Sequence, residues 1–358
     1  MSLHLLKRSG LRPLEAGVLA AIGAATLGAG LAHYLGAPAL LAFGLATAAL
    51  AGLAWLVGFA TEQVGERFGP AITGVLQSTL GNLPEFFIVV FALSAGERVV
   101  AQTSIIGSLF ANALLVLGLV IVTGARQSGE GLMRFHSRLP NDTVTLLILA
   151  TFVVVTIGLS VSSSDSASRH VEALSIAGAV VLLVTYVAWL VPYLRSGGTS
   201  SENVSPRLAL PVSVALLAVG GLGAAFVSDW FVEALSPTIG RLHLSQAFAG
   251  IVIVAIAGNA VENFAGIMLA AKGQSDLAIS VVQNSVSQVV VFLFPALVLV
   301  SLLFSTRLTF ALSPVFVGAL ALTALAVWQI SGDGKAAYFE GVALIGLYVV
   351  LSVIALYE

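Results

Sequence analysis

Two glutamates stand where an apolar chain has least reason to keep a charge. Most of the 17 acidic residues fall between apolar runs or at their ends, but Glu85 is the sixteenth of 27 residues in the run 70–96 and Glu262 the nineteenth of 28 in the run 244–271. At about 1.5 Å rise per residue both positions lie well inside a hydrocarbon slab. A central acid there costs on the order of 2.5–3.5 kcal/mol and faces a partner or a cavity. Asn82 and Asn259 stand three residues before their acids, so on a helix each amide shares a face with its carboxylate. Gly81 and Pro84 in one segment, and Gly258 in the other, weaken the helix beside the acid, and Pro84 frees a backbone carbonyl. One run further on, Ser108 with Asn112, and Asn284 and Ser285 with Gln288, place more polar groups at helical spacing on apolar helices. They either complete an ion cage and its path or hold helices together.

The atoms on offer are carboxylate, amide, hydroxyl and carbonyl oxygens. The chain has no cysteine, and its five histidines sit in tails or near the ends of runs. Such a set suits hard cations such as Ca2+, and two negative charges match one divalent ion. Without the ion, two desolvated carboxylates repel each other and take up protons instead. Ion and proton then compete for one site, which is the physical basis of antiport.

These residues need a membrane to be unusual in, and the composition supplies one. Of 358 residues, 58% are hydrophobic and 9% charged, with a net charge of −2 and a mean hydropathy of +1.05. An ordinary soluble domain is about 25% charged. A water-soluble enzyme and a nucleic-acid binder are thereby excluded, and the lipid bilayer is the first partner. Eleven runs reach the roughly 20 residues a spanning helix needs: 14–35, 38–60, 70–96, 99–123, 142–161, 170–194, 208–228, 244–271, 277–304, 308–330 and 337–357. With loops alternating sides, eleven of the 15 basic residues fall on the amino-terminal side. The positive-inside rule then puts the amino terminus in the cytoplasm and the carboxyl terminus outside, in an inner or plasma membrane.

An internal repeat accompanies the two acids. At an offset of 177 residues, 81–96 aligns with 258–273 with five identities in 16 columns, including the glycine, asparagine and glutamate, and Ser108 aligns with Ser285. The expected organisation is a tail and leading helix over 1–37, a first repeat over 38–195, a Gly/Ser linker over 196–207 and a second repeat over 208–358. Five spans per repeat is odd, so the second enters the bilayer from the opposite side, as in transporters with midplane sites. The fold class expected is an all-α integral membrane protein of 11 transmembrane helices.

The motifs resemble the cation/proton exchangers of the Ca2+/cation antiporter superfamily. Phe59-Ala60-Thr61-Glu62 and the run from Gly74 to Gly81-Asn82-Leu83-Pro84-Glu85 are similar to that family's first signature, which ends Gly-Asn-Ala-Thr-Glu; Phe248 to Gly258-Asn259-Ala260-Val261-Glu262, with Asn284-Ser285-Val286-Ser287-Gln288, is similar to its second. Leu83-Pro84 stands in place of Ala-Thr, Asn263 where the family has histidine, and the linker carries only Glu202. The resemblance implies a Ca2+/H+ exchanger with no cofactor, in which Glu85 and Glu262 carry the ions and Asn82, Asn259, Ser108, Ser285 and Gln288 line the site. It places Glu62 in an ion entrance, while Asn112 and Asn284, by their spacing, and Gln77 and Ser78, within the first signature, are candidates for the entrance or the lining of the site. Homo-oligomer formation is left open. The alternatives are sodium-driven Ca2+ exchange, a broader cation/proton antiporter and a passive cation channel. An intramembrane hydrolase finds neither an activated nucleophile nor a His-Glu-x-x-His metal motif.

Overall fold

The computed structural model describes residues 11–65, 67, 76, 79–136, 138–195 and 207–358, without the side chains of 138–140 and 260–263. The expected linker over 196–207 lies outside them except for Arg207.

In lipid every backbone N–H and C=O must find its partner within the segment, so long apolar runs become helices. Among the described residues nine helices are long and apolar enough to cross a membrane, and the chain is an integral membrane protein. They are α1 (Pro13–Tyr34), α2 (Ala39–Gly65), α4 (Arg98–Gln127), α5 (Arg138–Ser163), α6 (Val171–Arg195), α7 (Leu210–Leu242), α10 (Ser275–Leu303), α11 (Pro314–Ser331) and α12 (Tyr338–Tyr357). The other two expected runs, 70–96 and 244–271, are represented by shorter pieces: α3 (Leu83–Ser94), α8 (Gln246–Gly258) and α9 (Ala260–Ala271).

Packing divides the chain into two units, one running to Phe91 with Ala188–His243 and the other Ala92–Val187 with Leu244–Glu358. In the first unit α1, α2 and α7 pack along seams of small residues, as lipid-embedded helices do. A Cβ on Gly220 or Gly223 of α7 would meet Val57 at 3.0 Å or Leu53 at 2.9 Å. Beside them Leu50, Val57, Val227 and Phe231 are wholly buried. At the start of α7 the Gln63 Oε1 accepts the N–H groups of Arg207 (3.1 Å) and Leu208 (3.3 Å).

In the second unit α4 crosses α8 at Gly107 and Gly250, and α12 at Gly118 and Gly341, where an added Cβ would press on backbone of the facing helix. Two short strands, β1 (Leu132–Arg134) and β2 (Lys335–Ala337), pair antiparallel with Leu132 opposite Ala337. The stretch 304–313 between α10 and α11 is not helical, although Leu308, Phe310 and Leu312 are buried. Its backbone is satisfied from elsewhere, which is the condition for irregular chain at membrane depth. The Gln102 Nε2 donates to the carbonyls of Thr309 and Ala311, both at 2.8 Å. The Leu308 N–H donates to the Ser301 Oγ (3.0 Å) and the Phe310 N–H to the Ser175 Oγ (3.1 Å).

The offset of 177 residues reappears in the backbone. Leu83–Ser94 and Ala260–Ala271 are 12-residue helices at matching positions. Each ends in a turn through a glycine of positive φ, Gly96 at 81° and Gly273 at 76°, a conformation that favours glycine. The next helices begin at Arg98 and Ser275. Each widens into a π-helical segment, Ala111–Val116 and Val289–Leu293.

Candidate functional site

Both acid-bearing segments break at the asparagine. Residues 79–81 are helical, Asn82 is a turn and helix resumes at Leu83; likewise Gly258 closes one helix, Asn259 is a turn and Ala260 opens the next. Pro84 supplies one cause, since it has no N–H to continue the ladder. At the second break the asparagine itself does: its backbone N–H and its Nδ2 both donate to the Ala255 carbonyl, at 3.2 and 2.9 Å. Side-chain bonding of this kind competes with helix propagation. Asn259 sits at φ −96°, ψ 8°.

In the first unit Asn82 and Glu85 are 3% and 4% exposed, burial that an acid seldom accepts. Glu62, on α2, is exposed. In the second unit a polar network lies within an apolar core. The Asn259 Nδ2 donates to the Ser108 Oγ (2.8 Å), and the Asn112 Nδ2 donates to both the Asn259 Oδ1 (3.1 Å) and the Ser285 Oγ (2.9 Å). All four side chains are at most 3% exposed. The widened turn at Ala111–Val116 carries Asn112, and π-bulges recur at functional sites. Gln288 is buried on the same helix as Ser285, and Asn284 is half-buried there. Of the other expected residues, Gln77 and Ser78 lie outside the described residues, and Glu262 is described only as backbone in α9.

One buried pair was not anticipated. The Thr143 Oγ1 on α5 donates to the Gln283 Oε1 on α10 at 3.0 Å, and neither residue is more than 3% exposed. Gln283 adjoins Asn284 in sequence, so the polar run on α10 was its one available signal. Thr143 gave none, because its partner is 140 residues away. The network and this pair offer neutral amide and hydroxyl oxygens. A hard, weakly selective cation prefers that set over a redox metal.

Comparison with known proteins agrees with this chemistry. The family model described as sodium/calcium exchanger protein matches residues 38–193 and again 212–357. The Ca(2+)/H(+) antiporter of Synechocystis is 30% identical over 344 residues, covering 90% of this chain and 92% of the relative. The vacuolar calcium ion transporter of Schizosaccharomyces pombe is 30% identical over 311 residues, covering 84% and 75%. The solved structure of native YfkE matches with a TM-score of 0.80 at 27% identity, covering 95% of this chain and all of that one. With two family matches spanning most of its length, this chain is a member of the sodium/calcium exchanger protein family.

Proposed function

We propose that the protein is a secondary antiporter exchanging Ca2+ for H+ by alternating access, in which Glu85 and Glu262 bind Ca2+ or protons in turn. The observation that carries the reading is the matched helix break at Asn82 and Asn259, each three residues before a glutamate. A break frees carbonyl oxygens and aims them away from the helix axis, which is how transporters hold cations within a membrane. Asn82, Asn259, Ser108, Ser285 and Gln288 supply neutral oxygens, and the two carboxylates supply the charge. Loaded with Ca2+ or with protons the site is close to neutral and can reorient. Empty and doubly charged, it is penalised by the low-dielectric surroundings.

Eleven spans in two inverted repeats complete the architecture, with the amino terminus cytoplasmic, the carboxyl terminus outside and the host a cell inner or plasma membrane. The two separate matches to the family model and the common helix boundaries 177 residues apart support the repeats, expected over 38–195 and 208–358. Glu62, Asn112, Asn284, Gln77 and Ser78 line the way in or the site itself. The chain needs no cofactor for this cycle, since Ca2+ and H+ are its substrates, and it carries out no covalent chemistry. The relatives named for Ca2+/H+ antiport support the choice of driving ion. Sodium-driven exchange, which the family's description includes, is the second reading.

Vesicles reconstituted with the protein and given a pH gradient test the proposal against a panel of Ca2+, Mn2+, Na+ and K+. Ca2+ uptake that follows the pH gradient is expected. Uptake that follows a sodium gradient and ignores pH would replace it with the second reading.

A further inference from the structure

Within the buried network the orientation of every amide is determined. The Ala255 carbonyl can only accept, so the Asn259 group 2.9 Å from it is the NH2. That same NH2 serves the Ser108 Oγ. The Asn259 Oδ1 therefore faces Asn112, and Asn112 must present its own NH2. The two hydrogens of that NH2 go to two oxygens, the Asn259 Oδ1 at 3.1 Å and the Ser285 Oγ at 2.9 Å. A positively polarised group thus sits between two oxygens of the kind that ligate hard cations at about 2.3–2.6 Å. An N–H donor and a cation cannot share that space, because both carry positive charge toward the same oxygens.

We infer that Asn112 is an internal stand-in for the transported cation: its NH2 holds the Asn259 and Ser285 oxygens when Ca2+ is away and must withdraw before Ca2+ binds, so Asn112 lowers Ca2+ affinity instead of adding a ligand. The inference rests on the proposed assignment of Asn259 and Ser285 as cation ligands. Two features suit the role. The position matching Asn112 in the repeat is Val289, so only one half carries the stand-in. The π-helical turn at Ala111–Val116 is a local widening of α4, and its return to α-helical pairing would rotate the side chain aside.

The two roles predict opposite signs. Purified protein in detergent is titrated with CaCl2 at fixed pH, reading equilibrium Ca2+ binding and the melting temperature. For Asn112→Val, which copies the matching residue, we expect a lower melting temperature without Ca2+, a larger Ca2+-induced rise, and apparent affinity about tenfold tighter, the equivalent of about 1.4 kcal/mol. Asn112→Leu repeats the test with the amide's own branching should the valine variant not fold. Affinity unchanged or weakened in the variant that folds overturns the stand-in and makes Asn112 a spectator or a ligand. Asn259→Ala separates the two levels. If it weakens Ca2+ binding while Asn112→Val does not tighten it, only the stand-in fails. If Asn259→Ala leaves binding unchanged, the ligand assignment itself is lost, and the stand-in with it.

Discussion

Gly107→Ala places one methyl group where α4 meets α8, beside the network. A Cβ at Gly107 would press hardest on the Ile251 Cα and lie 2.8 Å from the carbonyl oxygens of both Gly250 and Ile251, against about 3.4 Å for ordinary contact. The obstacles are backbone atoms, so the helices themselves must part by at least about 0.6 Å. Ser108 is the next residue on α4, and its 2.8 Å bond from Asn259 stretches to about 3.4 Å, where an N–H···O bond is largely spent. Overpacking costs about 1–3 kcal/mol and the bond about 1 kcal/mol. Alanine's better helix propensity returns up to about 1 kcal/mol. The net is a loss of about 1–4 kcal/mol, read as a drop of several degrees in melting temperature, together with weaker Ca2+ binding as Asn259 loses its register. Gly346→Ala is the contrast: no atom lies within 4 Å of its added Cβ, so only the propensity gain remains and the melting temperature should hold or rise. A Gly107→Ala protein that melts with Gly346→Ala and binds Ca2+ normally would refute the close crossing and its link to the network.

Gln102→Leu leaves the Thr309 and Ala311 carbonyls without their side-chain donor; at about 1–3 kcal/mol for each group left unsatisfied, thermal unfolding should show a loss of roughly 2–6 kcal/mol, nearer the lower figure because both bonds are half-buried, and a loss under about 0.5 would mean that water or lipid headgroups serve the stretch 304–313 instead. Thr143→Val removes the donor to Gln283 and should lower stability by about 1 kcal/mol; an unchanged melting temperature would place the pair outside the packed core. Asp165, between α5 and α6, is held below the ordinary carboxylate range mainly by the Ser160 hydroxyl, which outweighs the opposing effect of burial, with smaller help from the N–H groups of Ser168 and Ala167. A depressed folded value means the contribution is complete above the unfolded value of about 3.9 and disappears as pH falls through the lower folded value. Ser160→Ala should therefore reduce the acid-side loss of melting temperature, and identical pH profiles would contradict the assignment.

Much of this fold can be read from hydropathy alone, because lipid forbids unpaired backbone and so ties apolar length to helix. The runs at 14–35 and 337–357 correspond to Pro13–Tyr34 and Tyr338–Tyr357 within a residue or so. The recurrence around Asn82 and Asn259 was legible because it rests on residue identity, and glycine, asparagine and acid have few reasons to recur together in an apolar helix. What stayed hidden depends on partners far along the chain. The run expected at 308–330 starts late, at Pro314: apolar Leu308, Phe310 and Leu312 look helical in sequence, but Ser301 and Ser175 accept the N–H groups of Leu308 and Phe310, and Gln102 serves the carbonyls of Thr309 and Ala311. The pairing of Leu132 with Ala337 joins two short segments that have no strand signal of their own. The π-helical turns have no hydropathy signature, so Asn112 could be read as polar lining but not as the donor that joins Asn259 to Ser285.

The central claim is that the two repeated glutamates carry Ca2+ and protons, and the most direct test is pH-gradient-driven 45Ca2+ uptake into proteoliposomes by Glu85→Gln and Glu262→Gln beside the unaltered protein. The amide keeps the size and removes the charge and the proton site. The account predicts rapid uptake by the unaltered protein and none by either variant, with all three eluting and melting as folded proteins. Uptake at the unaltered rate by either variant would contradict it.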